Sequence, residues 1–128
     1  MTTELFTLVA LAILALVMPA FYGSLRVKQV GSGPLLGNRE GLPPPTGAAG
    51  RGLRAHQNLI ENLVPYAIVI LTAHVIGANN GVTAGAAIVF LIARLVHAGS
   101  YFAGITIIRT VAYAVGLIAI IAIMTQLF

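Results

Sequence analysis

Leu5-Phe-Thr-Leu-Val-Ala-Leu-Ala-Ile-Leu-Ala-Leu-Val-Met-Pro19-Ala-Phe-Tyr-Gly-Ser-Leu25 carries no charged residue from end to end. About 20 mainly apolar residues suffice for a helix to cross a hydrocarbon layer roughly 30 Å thick. Pro19 removes one backbone hydrogen bond from such a helix, which membrane helices tolerate. The run is long for a secretory leader and follows Glu4 rather than Lys or Arg, so it is expected to stay as a first span over about 5–27.

Outward from this stretch the pattern repeats. Further apolar segments cover about 51–77, 82–101 and 105–128, with Pro65 inside the second. The segment 28–50, KQVGSGPLLGNREGLPPPTGAAG, is expected to be a long loop without regular helix because of its Gly and Pro content. Gly77-Ala-Asn-Asn-Gly81 is a turn sequence, and Phe102-Ala-Gly104 a short connection. One long and two short links predict an all-α integral membrane protein, a four-helix up-down-up-down bundle in a single domain 1–128. Composition agrees: 59% of the 128 residues are hydrophobic and 8% charged, against about 25% charged in a soluble domain.

The absence of cysteine excludes disulfides, thiolate metal sites and a protein thiol nucleophile, so any thiol chemistry must use a borrowed thiol. The net charge of +4 does not indicate nucleic acid, because the seven Lys and Arg are spread among apolar segments. Membrane lipids and a small acidic ligand fit better. Most of the positive charge gathers around the long loop (Arg26, Lys28, Arg39, Arg51, Arg54), whereas the Gly77–Gly81 turn has none. The positive-inside rule then puts the loop in the cytoplasm and both termini on the other side.

That topology collects most of the polar residues at the cytoplasmic end. Arg54, Asn58 and Glu61 are spaced i, i+4, i+7; Arg94, His97 and Tyr101 are spaced i, i+3, i+7; Arg109 and Tyr113 are spaced i, i+4. Each set shares one helix face. Arginines near a span end can simply snorkel to headgroups, and for Arg26 alone that reading is as good as any. Snorkelling does not need Asn, Glu, His and Tyr at matching spacing, however. Several guanidiniums with one carboxylate suit a ligand bearing carboxylates and an ammonium. His74 has no partners for a metal site, Gly81 and Gly85 form a single GxxxG match compatible with close helix packing, and Tyr66 and Phe90 read as packing or lipid-facing aromatics.

The segment Arg51-Gly-Leu-Arg54-Ala-His56-Gln-Asn58-Leu-Ile-Glu61-Asn-Leu-Val-Pro65-Tyr66 resembles the second-helix signature of the MAPEG family, membrane-associated proteins in eicosanoid and glutathione metabolism. Arg94-Leu-Val-His97-Ala-Gly-Ser-Tyr101, Arg109-Thr-Val-Ala-Tyr113 and the Arg26/Lys28 pair extend the resemblance over nearly the whole chain. It is similar in length to short bacterial members, which suggests a bacterial inner membrane. The resemblance implies a homotrimer that binds glutathione, as co-substrate, between neighbouring subunits. By matching position, Arg26, Arg54, His56, Asn58, Glu61, Arg94, His97, Tyr101 and Tyr113 would hold the tripeptide, and Arg109 would sit beside its sulfur as the catalytic residue. Gln57 stands where some family enzymes have a further Arg, and the interval from Tyr101 to Arg109 differs from theirs by about one residue.

The implied activity is that of a membrane glutathione transferase or peroxidase resembling the microsomal transferases and acting on lipophilic electrophiles. The family also contains a lipid-presenting member, so a non-catalytic glutathione- or lipid-binding scaffold is the alternative. A small multidrug exporter would need a carboxylate deep in the first span, and none lies between Leu5 and Leu25.

Overall fold

A computed structural model describes all residues, 1–128. It contains α1 (Thr3–Val30), a short α2 (Ser32–Leu36), α3 (Gly47–Val75), α4 (Gly81–Ala103) and α5 (Thr106–Met124). The four long helices are each long and apolar enough to cross a membrane. At 1.5 Å per residue, the 28 residues of α1 reach about 42 Å, well beyond the hydrocarbon layer. Both α1 and α3 continue through their internal prolines, Pro19 and Pro65.

Apolar bulk lies outside and small residues inside. Leu16 is 80% exposed and Ile118 65%, while Ala55, Ala73, Ala87 and Ala119 are buried between helices. This is the distribution expected when lipid is the solvent: bulky side chains gain nothing by hiding from acyl chains, and small ones let helix backbones approach. α4 and α5 form a tightly packed hairpin, α1 lies along α3, and α5 makes no contact with α1. Gly52 marks the closest crossing, since a Cβ there would come within 2.7 Å of Tyr22 Cβ and 2.6 Å of the Phe102 ring. Gly81 and Gly85, by contrast, face open space, so their GxxxG spacing serves no packing within the chain.

The 28–50 segment is more ordered than its composition predicts. α1 runs on to Val30, where Gly31, with φ 80°, turns the chain in the left-handed region that glycine adopts freely. Pro34 falls in the first turn of α2, where its missing N–H costs no helical bond. α3 is already helical at Gly47, four residues before Arg51.

A buried polar network closes the end opposite the arginines. Asn80 caps α4 by accepting from Val82 N and Thr83 N. Thr83 Oγ1 in turn accepts from Asn80 N and donates to Glu4 Oε1 at 2.6 Å. One turn along α1, Thr7 Oγ1 meets Tyr66 OH at 2.6 Å. Glu4 and Thr7 are 3% and 1% exposed, so the partners replace the water that a buried carboxylate and hydroxyl would otherwise lack. Tyr66 stacks on Phe90 with ring centroids 4.0 Å apart in the centre of the bundle.

Candidate functional site

Arg94 is the organising residue. It is 1% exposed, although an arginine in a span carries an insertion cost of about 2.5–3.5 kcal/mol at the helix centre. Its Nη1 donates to Asn58 Oδ1 at 3.3 Å on α3. Nη2 donates to the carbonyls of Ala112 and Tyr113 on α5, at 3.2 and 3.3 Å. The guanidinium carbon lies 5.2 Å from the Phe90 ring and 5.6 Å from the Tyr113 ring, within cation–π range. Nε is buried without a partner. Gly116 makes this arrangement possible, because a Cβ there would lie 2.9 Å from Arg94 Cζ and 3.1 Å from Nε.

The remaining members are joined through aromatic rings. His97, 4% exposed, sits edge-on to Tyr101 with centroids 5.5 Å apart, and 6.3 Å from Tyr113. Tyr101 receives two cations, with the guanidinium carbon of Arg109 at 4.6 Å and that of Arg54 at 6.0 Å. Seven of the ten expected site residues, Arg54, Asn58, Arg94, His97, Tyr101, Arg109 and Tyr113, therefore form one contiguous group spanning α3, α4 and α5. Three of them are guanidiniums and none is a carboxylate. Such a group repels itself in a low-dielectric setting, and an anion beside it relieves that repulsion.

The other three expected residues lie elsewhere. Glu61 shares the Arg54 and Asn58 face of α3 and is exposed, and none of Arg94's hydrogen bonds goes to it. His56 occupies the opposite face of α3, where its Nδ1 lies 3.3 Å from Tyr22 OH on α1. Arg26 hooks the loop, donating through Nη1 to Gln29 Oε1 at 3.0 Å and through Nη2 to the Pro43 carbonyl.

Sequence reasoning gave no site role to three residues that the geometry makes important, Phe90 having been read only as a packing or lipid-facing aromatic. Phe90 precedes Arg94 by four positions, Gly116 follows Arg109 by seven, and Tyr22 precedes Arg26 by four. Each prolongs a polar stripe by the same helical spacing, so spacing alone could have found them; their residue types hid them.

Among curated proteins, none matches the chain. The model of the MAPEG family matches residues 5–128, which takes in all of the chain's helices but the first two residues of α1, and every residue of the arginine-rich group. The chain belongs to the MAPEG family.

Proposed function

We propose that this protein is a membrane glutathione transferase or peroxidase that uses the glutathione thiolate against lipophilic electrophiles. The observation that carries this reading is the contiguous Arg54–Arg94–Arg109 group, linked through Tyr101, His97 and Tyr113 and containing no acid of its own. Guanidiniums bind carboxylates in a planar fork, which suits the two carboxylates of the tripeptide, and Glu61 at the rim suits its ammonium. In this reading the protein is a homotrimer with both termini on the non-cytoplasmic side of a bacterial inner membrane. Arg26 and His56, which α3 separates from the group, are offered to the tripeptide of a neighbouring subunit.

Arg109 is assigned to the sulfur. A cysteine-type thiol titrates near about 8.5, so at neutral pH the nucleophilic thiolate is a minor species unless a nearby cation favours it. In the transferase reaction the thiolate attacks the electrophilic carbon and the leaving group departs with its electron pair. In the peroxidase reaction the sulfur attacks a peroxide oxygen and an alcohol leaves; a second glutathione then reduces the sulfenic acid, giving disulfide and water.

A second reading, a lipid-presenting scaffold, is favoured by one observation. The outer face of the α4/α5 hairpin holds a cavity of about 370 Å³ lined only by apolar residues, among them Val89, Ile92, Val96, Ile108 and Val111. Glutathione consumption by the purified protein, measured with an aryl halide and with a lipid hydroperoxide, separates the two. Turnover above the detergent blank supports the enzyme. Glutathione binding without turnover supports the scaffold.

A further inference from the structure

A buried chain of contacts runs from the start of α1 to the arginine group. Thr7 on α1 donates through Oγ1 to the Glu4 carbonyl at 2.8 Å. A hydroxyl has one hydrogen to give, so in the 2.6 Å contact with Tyr66 the phenol is the donor and Thr7 the acceptor. Tyr66 on α3 is thereby held by its oxygen, and its ring lies flat on Phe90 of α4, with centroids 4.0 Å and planes 14° apart. Thr7 is 1% exposed and both rings 0%.

The chain ends on Arg94. About one helical turn separates Phe90 from Arg94, so the two side chains share a face of α4, and the guanidinium carbon lies 5.2 Å from the Phe90 ring. The hydrogen bonds of Arg94 all leave from Nη1 and Nη2, to Asn58, Ala112 O and Tyr113 O, while Nε has no partner. Bonds from the terminal nitrogens alone leave the guanidinium free to swing about that edge. An aromatic face against it removes the freedom, and attracts the cation most strongly where water is absent. Bulk alone does not do this, since an aliphatic side chain fills similar volume without a negative face. Tyr66 keeps the Phe90 ring from turning away, and Thr7 does the same for Tyr66.

We propose that Phe90, backed by Tyr66 and Thr7, is a positioning residue for glutathione binding, fixing Arg94 so that the arginine group keeps the shape its ligand meets. None of the three has a proton to give a carboxylate, since that of Tyr66 goes to Thr7 and that of Thr7 to Glu4. Their action therefore runs through Arg94. The sulfur is assigned to Arg109, whose ring partner is Tyr101, so Phe90 bears on affinity and not on the thiolate. This role rests on the glutathione reading and names what holds the organising arginine of that site in place.

The test is Phe90→Leu in the full chain in detergent, read by calorimetry of glutathione binding, by turnover, and by the proton–nitrogen NMR signal of Arg94 Nε–H. That signal, assigned by its absence from Arg94→Lys, should be displaced by the neighbouring ring and return towards the ordinary arginine position in Phe90→Leu. Glutathione Kd and KM should rise by about three- to tenfold, the size of a buried cation–π contact. The rate at saturating glutathione and the pH at which the bound thiol ionises should stay as in the wild type. Thr7→Val should raise Kd by about two- to threefold, because the phenol then lacks its acceptor, and Thr7→Ser, which retains the acceptor, should restore it. Ile123→Val, a buried trimming in the last turn of α5, should lower the melting temperature without moving the signal or the affinity. An Nε–H signal unmoved by Phe90→Leu, or an unchanged affinity when the signal does move, would overturn the role. So would an equal loss of affinity in Ile123→Val, or a fall in kcat and a shifted thiol titration in step with KM, which mark general loosening. Should Phe90→Leu not fold, wild-type affinity in Thr7→Val overturns the role instead. Failure of the wild type to bind glutathione would sink the glutathione reading and this role with it, a distinguishable result because the Nε–H signal is read without ligand.

Discussion

Gly116→Ala is the most discriminating single change at the arginine cluster, because it adds one methyl group directly against Arg94. The new Cβ would lie 2.9 Å from Cζ and 3.1 Å from Nε, with Nη2 closer still, so the guanidinium must retreat by roughly 1 Å to regain ordinary contact. Its hydrogen bonds to Asn58, Ala112 O and Tyr113 O are already 3.2–3.3 Å long. A retreat of that size takes some of them past the length at which a hydrogen bond counts. Each bond to a charged group is worth about 1.5–3 kcal/mol, and overpacking a fitted interior costs about 1–3 kcal/mol. We expect a net loss of about 2–4 kcal/mol, together with weaker glutathione binding. The assay is reversible denaturation in mixed micelles, run as a double-mutant cycle with Arg94→Met. In the methionine background the added methyl meets a flexible apolar chain, so Gly116→Ala should cost at least about 1 kcal/mol less there. Equal costs in the two backgrounds, or a Gly116→Ala protein as stable as the wild type, would refute the claim that this glycine exists to seat Arg94.

Glu61→Gln should weaken glutathione binding by about tenfold, the loss of one charge-assisted bond to the ammonium, without altering oligomeric state; calorimetry and light scattering in detergent read the two. Arg109→Ala should lose most turnover with a smaller change in glutathione affinity, and Arg109→Lys should keep part of the rate, since it retains the charge but not the fork. The thiolate absorbance of bound glutathione should then rise only at higher pH in Arg109→Ala; an unchanged titration and rate would remove Arg109 from the mechanism. Thr83→Val should destabilise the fold by about 1–3 kcal/mol because it strips the buried Glu4 carboxylate of its 2.6 Å donor, whereas Thr83→Ser should be close to neutral.

The long apolar runs announced the membrane helices, because twenty uncharged residues have few other physical solutions. Helix ends were less legible. Gly47–Gly50 reads as loop by composition, yet the buried Gly50 is helical and abuts the Pro45 carbonyl, a contact that depends on having no side chain. Polar spacing correctly grouped Arg94, His97 and Tyr101, because residues on one helix face stay together whatever the bundle does. It could not show that Arg26 also hooks the loop at the Pro43 carbonyl or that His56 turns towards Tyr22, since both follow from how helices and loop are placed around one another. Glu4 was left without a role for the same reason: its partner is 79 residues away, and no local pattern joins them.

That separation has a consequence for biogenesis. Glu4 opens a span that is otherwise uncharged, and the hydroxyl that satisfies it arrives only when α4 has been made. At a synthesis rate of about 5–20 residues per second, the carboxylate must wait about 4–16 s after its own emergence for Thr83 to appear. Until then the carboxylate, in the first turn of a helix longer than the hydrocarbon layer is thick, is met by interfacial water. The start of the first helix therefore gains its protein partner only once three of the four spans have been made, which ties the two ends of that contact to a late stage of synthesis.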